Sequence, residues 1–167
     1  FEGAAYLTGG SDVIAADLAV YTLRQGRGFG RNTNTGEDVN RQEEIAFRSK
    51  ILFQPTDDDR LVISGDWSTN KGDLGLTRNA YPGSVLVGNV GFSGDPYDSQ
   101  ANLLSKRRSF NYWGLSAKYE HDFGWATFSS LSAYRNLALT YQYDQDSTPL
   151  RAADIRITQG EKTFQQE

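Results

Sequence analysis

The chain has 167 residues, 38% of them hydrophobic and 13% aromatic, and carries a net charge of −4. That length suits one domain with a sizeable core, and the charge offers no attraction for nucleic acid. With no Cys, disulfides, thiolate chemistry and cysteine zinc sites are excluded, and no run approaches the ~20 apolar residues of a membrane helix.

Nine Tyr, nine Phe and 17 Gly against four Pro favour β-structure over helix. The chain contains no Met, opens in FEGAAYLTG, which reads as strand, and closes in EKTFQQE, which reads as the start of one. A fragment from the middle of a longer protein is therefore expected.

In chain order, residues 1–8 are short and mixed, and Gly9-Gly10-Ser11-Asp12 signals a turn. Residues 13–23 alternate with period two. Ile14, Ala16, Leu18 and Val20 fall on one face, and Ala15, Asp17, Ala19 and Tyr21 on the other. The polar, Gly-rich GRGFGRNTNTGEDVN follows over residues 26–40. Residues 43–53 alternate again, with Ile45, Phe47, Ile51 and Phe53 opposite Glu44, Arg48 and Lys50. After the turn at residues 54–59, Leu61, Ile63 and Trp67 alternate with Arg60, Ser64, Asp66 and Ser68. From Asn70 to about Arg108 there is no sustained period. Strand character returns at Phe110, where Trp113, Leu115, Ala117 and Tyr119 alternate with Tyr112, Gly114, Ser116, Lys118 and Glu120. A short turn at residues 121–124 leads into residues 125–134. Alternation is weak there because Phe128 and Leu131 fall on opposite faces, so a β-bulge and a two-faced strand both remain open. Residues 140–160 read as a third long connection with some strand extension, and residues 162–166 begin the last strand.

The connections thus run short, long, short, long, short, long. A soluble sandwich has no reason for such order, whereas a transmembrane barrel has short turns on one side and long loops on the other. The expected fold is all-β: an antiparallel up-and-down meander, part of a transmembrane β-barrel with short periplasmic turns and long extracellular loops. Strands of about 9–12 residues meet the length a tilted membrane strand needs. Tyr119, Phe123 and Trp125 beside a short turn fit an aromatic girdle at the periplasmic rim. The charged faces, with Glu44, Arg48, Lys50, Asp66, Lys118 and Glu120, would line a wet lumen, since a dry core could not hold them unpaired.

No motif points to catalysis, a cofactor or a metal. GRGFG (residues 26–30) lacks the Lys-Ser/Thr of a phosphate loop and has no helix after it, so it reads as a flexible extracellular loop. Asp144-Gln145-Asp146-Ser147-Thr148 fits D-x-D-x-T formally and a calcium loop loosely, but Pro149 stands where a calcium loop needs Gly. It reads as a solvated loop. His121 is the single His, and Asp122 beside it makes no triad, so it reads as a rim residue. Asp57-Asp58-Asp59 reads as a solvated turn. Ligand contact is expected from Arg and aromatic side chains of the long loops. These are Arg27, Phe29 and Arg31 in the first loop, Arg78, Tyr81, Phe92 and Tyr97 in the second, and Tyr141 and Tyr143 in the third.

The run TGEDVNRQEEIAFRSKILFQPTDDDRLVISGDWS (residues 35–68) resembles barrel sequence of TonB-dependent outer-membrane receptors. SLSAYRN after the turn HDFG, YDQDSTPL, and the closing EKTFQQE are similar to segments of that family, and the resemblance covers nearly the whole chain. It implies a barrel of about 22 strands around a plug domain, with a TonB box that couples to the inner membrane. Plug, TonB box and C-terminal aromatic strand all lie outside this sequence. The chain would supply about seven strands just after the plug, too few to close. The whole receptor would import a scarce nutrient (siderophore-bound iron, cobalamin or carbohydrate) with TonB-coupled energy, in the outer membrane of a Gram-negative bacterium. Its partners would be outer-membrane lipid, the rest of the barrel and plug, the TonB complex and a small-molecule ligand. A passive porin-type barrel and a soluble all-β binding domain are the alternatives.

Overall fold

The computed structural model describes residues 1–102 and 106–167. It contains β1 (Glu2–Gly10), β2 (Ile14–Arg24), β3 (Gly30–Arg31), β4 (Asp38–Val39), β5 (Gln42–Phe53), β6 (Asp59–Gly72), β7 (Val85–Leu86), β8 (Val90–Gly91), β9 (Lys106–Asp122), β10 (Thr127–Asp144) and β11 (Asp154–Gln166). Seven of these form one antiparallel sheet in the order β1-β2-β5-β6-β9-β10-β11. Each long strand pairs with the next long strand in the chain, a pure meander. The sheet is open: β1 and β11 each pair on one side only, so it is not a closed barrel. The ribbons β3-β4 and β7-β8 belong to the long connections.

The alternation read from the sequence sets the faces. Across the sheet one row runs Ala5, Val20, Phe47, Trp67, Trp113, Asn136 and Lys162. One step down the strands, the row Tyr6, Ala19, Arg48, Asp66, Gly114, Arg135 and Thr163 lies on the opposite face. Because side chains alternate, a strand slipped by one residue would move its whole set of large apolar side chains to the opposite face. Ile14, Leu18, Phe47, Ile51, Phe53, Ile63, Trp67, Trp113, Leu115 and Phe128 all stand on the first face, 38–55% exposed. No layer covers them.

The short connections close tightly. Between β9 and β10 the Phe123 amide donates to the Ala126 carbonyl (2.9 Å). Gly124 there has φ 79°, the conformation a two-residue primed hairpin turn asks of its first central residue. Between β5 and β6 the Thr56 hydroxyl donates to the Asp59 carboxylate (2.7 Å) and accepts its amide (3.1 Å).

Several expected boundaries are corrected. The strand foreseen from residue 110 begins at Lys106, and β10 continues to Asp144 instead of ending near Tyr134. β11 begins at Asp154 rather than near Lys162. The third connection therefore shrinks from residues 140–160 to 145–153. Thr140-Tyr141-Gln142-Tyr143 does alternate polar and aromatic residues, but the Asp, Gln, Ser and Pro that follow it directly make the whole stretch resemble a loop. Of the second connection, residues 103–105 lie outside the described residues. β10 pairs with β9 without interruption from Thr127 to Tyr143, so it is a two-faced strand and not a bulged one.

Candidate functional site

The buried side chains gather at the loop end. Val39 and Ala101 are fully buried, as are Asn32, Ser99 and Thr148, with Asp144, Asp146 and Ser147 nearly so. The second connection ties the other two together. Toward the first, the Arg31 amide donates to the Asp98 carboxylate (2.8 Å), and Asn32 Nδ2 to the Ala101 carbonyl (2.9 Å). The Ser99 and Thr33 amides each donate across the same seam. Toward the third, the Asn102 amide donates to Asp144 Oδ2 (3.0 Å), and Arg78 to the Gln145 carbonyl (3.3 Å).

GRGFG is part of this packing rather than an open flexible loop. A Cβ on Gly28 would lie 1.7 Å from the Val39 carbonyl oxygen, and one on Gly30 would lie 1.9 Å from that of Tyr97. Close backbone approach is why glycine stands there. The D-x-D-x-T stretch is likewise buried rather than solvated. Asp144 Oδ1 accepts the Asp146 and Ser147 amides (3.0 and 2.9 Å). Asp146 accepts from Thr148 and from the Ala153 amide. Burial pushes Asp144 above the ordinary carboxylate range, against the Asn102 and Ser147 amides. Burial acts the same way on Asp146, but the Thr148 and Ala153 hydrogen bonds outweigh it and hold that carboxyl low. These carboxylates spend their lone pairs on the backbone, and among the described residues no three His, Cys, Asp or Glu are grouped to hold a metal.

Of the expected ligand contacts, Phe29 and Tyr97 come together, rings 6.5 Å apart and each more than half exposed. Arg31 is turned to its own loop, Nε donating to the Gly36 carbonyl (3.1 Å). Arg78 ties loops together, Arg27 is exposed, Tyr81 is 84% exposed, and Phe92 is half-buried beside β8. Tyr141 and Tyr143 are not loop residues. They stand on β10, stacked at 5.9 Å, paired with Ile157 and Ile155 at the loop end of the polar face.

The polar face carries a second cluster that sequence reading saw only in part. A hollow of about 550 Å³ is floored by Ala19, Ala46 and Ser68 and flanked by Tyr21, Tyr112 and Arg135. Arg135 lies over the Tyr112 ring (5.5 Å), donates to its hydroxyl (3.2 Å) and reaches Asp66 (3.6 Å). It spans the intervening strand because Gly114 has no side chain: a Cβ there would press on both Arg135 and Asp66 at 3.3 Å. The expected lining charges Arg48, Asp66, Lys50, Lys118, Glu120 and Glu44 share this face. Arg135 was missed because residues 125–134 show no clear period.

At the other end, His121 has the partner its sequence neighbours did not supply. Its Nδ1 lies 2.8 Å from Asp59 Oδ1, and its ring meets Phe123 edge-on at 4.3 Å. Asp59, beyond the apolar band, is held at about 2 by hydrogen bonds from Tyr119, Thr56 and His121. Thr56 donates to Asp59 rather than to His121, so the cluster has the connectivity of a structural clasp. Set beside protein-family models, curated proteins and solved structures, the chain matches none.

Proposed function

We propose that this chain forms part of the wall of an outer-membrane β-barrel, and that the whole protein is a TonB-dependent nutrient receptor. The observation that carries the membrane reading is the uncovered apolar face. In water such a face marks an unfilled interface, and burying each of its large side chains is worth about 1.5–3 kcal/mol. Lipid supplies that burial. Aromatic residues support the same reading. One row holds Phe47, Trp67 and Trp113; Phe53 and Tyr119 share a second near the short turns, and Phe128 stands one row beyond it. His121, opposite Phe128, and Trp113 are eight residues apart in β9. At about 3.4 Å per residue and a tilt of about 40°, that separation spans roughly 20 Å of the bilayer, against an expected band of about 25 Å. The free edges of β1 and β11 call for further strands.

The energised receptor is favoured over a passive porin by a patch on the polar face. Phe110, Leu137 and Leu139 of β9 and β10 stand there together. An open pore would wet them, whereas a domain seated in the lumen would cover them. The TonB coupling and the nutrient class rest on the sequence resemblance.

Single cysteines at positions 45–53 of the intact protein in lipid vesicles, with any cysteine outside this Cys-free chain replaced, can carry spin labels. Accessibility to oxygen and to a water-soluble nickel complex should alternate with period two. Equal nickel accessibility throughout would favour the soluble reading. A conducting pore in planar bilayers would replace the receptor by the porin.

A further inference from the structure

Above the Trp67 and Trp113 row, the apolar face turns basic. Arg24, Glu43 and Lys71 form one row across β2, β5 and β6, with Thr22, Ile45 and Thr69 in the row below. These six residues line a groove of about 330 Å³ that opens on the apolar face. Arg41 joins it, 3.6 Å from Glu43, and Arg24 is 3.8 Å from the same carboxylate oxygen. Both guanidinium groups stay largely open to solvent, with side chains 46% and 78% exposed. The Lys71 ammonium has no partner among the described residues. Glu44 borders the groove, but its carboxylate is spent on the other face, accepting from Gln42 and Asn70. Three cations thus meet one carboxylate.

The height of the groove is telling. Four residues separate Lys71 from Trp67, about 10 Å along the bilayer normal at the same rise and tilt. That is where lipid headgroups lie when the indoles sit at the interface. We infer that this groove binds the phosphate of a lipid headgroup in the leaflet on the loop side. The acyl chains would run down past Ile45 and Phe47, while Arg24, Arg41 and Lys71 meet the phosphate. Basic residues at this level attract anionic lipid through just such contacts. The assignment rests on the membrane reading above.

The test uses the intact protein in phosphatidylcholine vesicles containing phosphatidic acid as the probe. After extraction into mild detergent, retained phosphatidic acid is counted by native mass spectrometry. Retention should fall at least about tenfold in the Arg24→Glu/Lys71→Glu double variant, while Arg151→Glu, an exposed control in the third connection, leaves it unchanged. Equal retention in the double variant and the parent would overturn the site. Complete displacement of the lipid by inorganic phosphate would assign the groove to a free anion instead. The spin-label alternation of residues 45–53 is measured on the same double variant. If it persists while retention is unchanged, the lipid site alone falls. If it is absent in the parent too, the membrane reading falls with it.

Discussion

In the wall, Ile51 and Trp67 stand 41% and 38% exposed on the face that carries nearly all of the large apolar side chains of their strands. In the loops, Val39 and Ala101 are completely buried among Asn32, Ser99 and Asn102. The wall is held by its lateral hydrogen-bond ladder and offers its apolar groups outward. The cap is held by its own small core, made mostly of polar groups that satisfy one another. A sheet with an uncovered apolar face needs a cover, for which we propose lipid, and a polar core needs full pairing, because each unmet buried group costs about 1–3 kcal/mol. The two regions should therefore fail for different reasons.

The largest effect is expected from Ile51→Lys. Ile51 pairs with Ile63, between the row of Phe47 and Trp67 and the row of Phe53 and Tyr119. A lysine at the bilayer midplane should cost about 2–4 kcal/mol of folding stability in vesicles, read by denaturant titration. A loss no greater than that of a surface substitution would remove the assignment of this face to lipid. Gly30→Ala comes next and tests the cap alone. Its Cβ would collide with the Tyr97 carbonyl, and overpacking of that kind costs about 1–3 kcal/mol. Amide exchange should accelerate at residues 30–39 and 97–101 while β5 and β6 keep their protection. Parallel loss in both regions would show that wall and cap fold as one unit.

Acid should act on the rim of the wall. The Asp59 carboxyl sits at about 2, below its ordinary value, so its folded form is favoured when ionised. Its contribution is complete above about pH 4 and is lost as pH falls toward 2. Asp59→Asn should erase that acid-dependent step in the stability profile. A profile identical to the parent's would mean that the clasp with Tyr119, Thr56 and His121 is not maintained. The smallest change is expected from Lys50→Leu, one residue from Ile51 but on the polar face and exposed. It should assemble like the parent. Equal damage from Lys50→Leu and Ile51→Lys would dissolve the distinction between the faces.

The wall itself is not uniform, and β10 shows where periodicity stops informing. On β2, β5, β6 and β9 the apolar and polar faces separate as the alternation in the sequence requires. On β10, Ser130, Ser132 and Asn136 share the apolar face, while Leu131, Leu137 and Leu139 share the polar one. The Gln166 amide donates to Ser130, and the Ser132 hydroxyl donates to Gln166, so these polar groups satisfy one another across β10 and β11. Such a strand has no readable face until its neighbours are known. That is why its end, and with it the true place of Tyr141 and Tyr143, escaped the sequence.

The sequence by itself determined the meander, because period-two runs with short polar breaks admit few other folds, and it determined the facing of four strands, because one residue's slip would invert them. Only the tertiary structure decided the rest. Arg135 reaches Asp66 because register places Gly114 between them. His121 gains Asp59 because β6 lies beside β9. Asn32, Asn102 and Asp144 knit the cap through contacts far apart in the chain. Alternation is a local property, dictated by backbone geometry residue by residue. Pairing of distant polar groups depends on which strands become neighbours, and no local pattern encodes that.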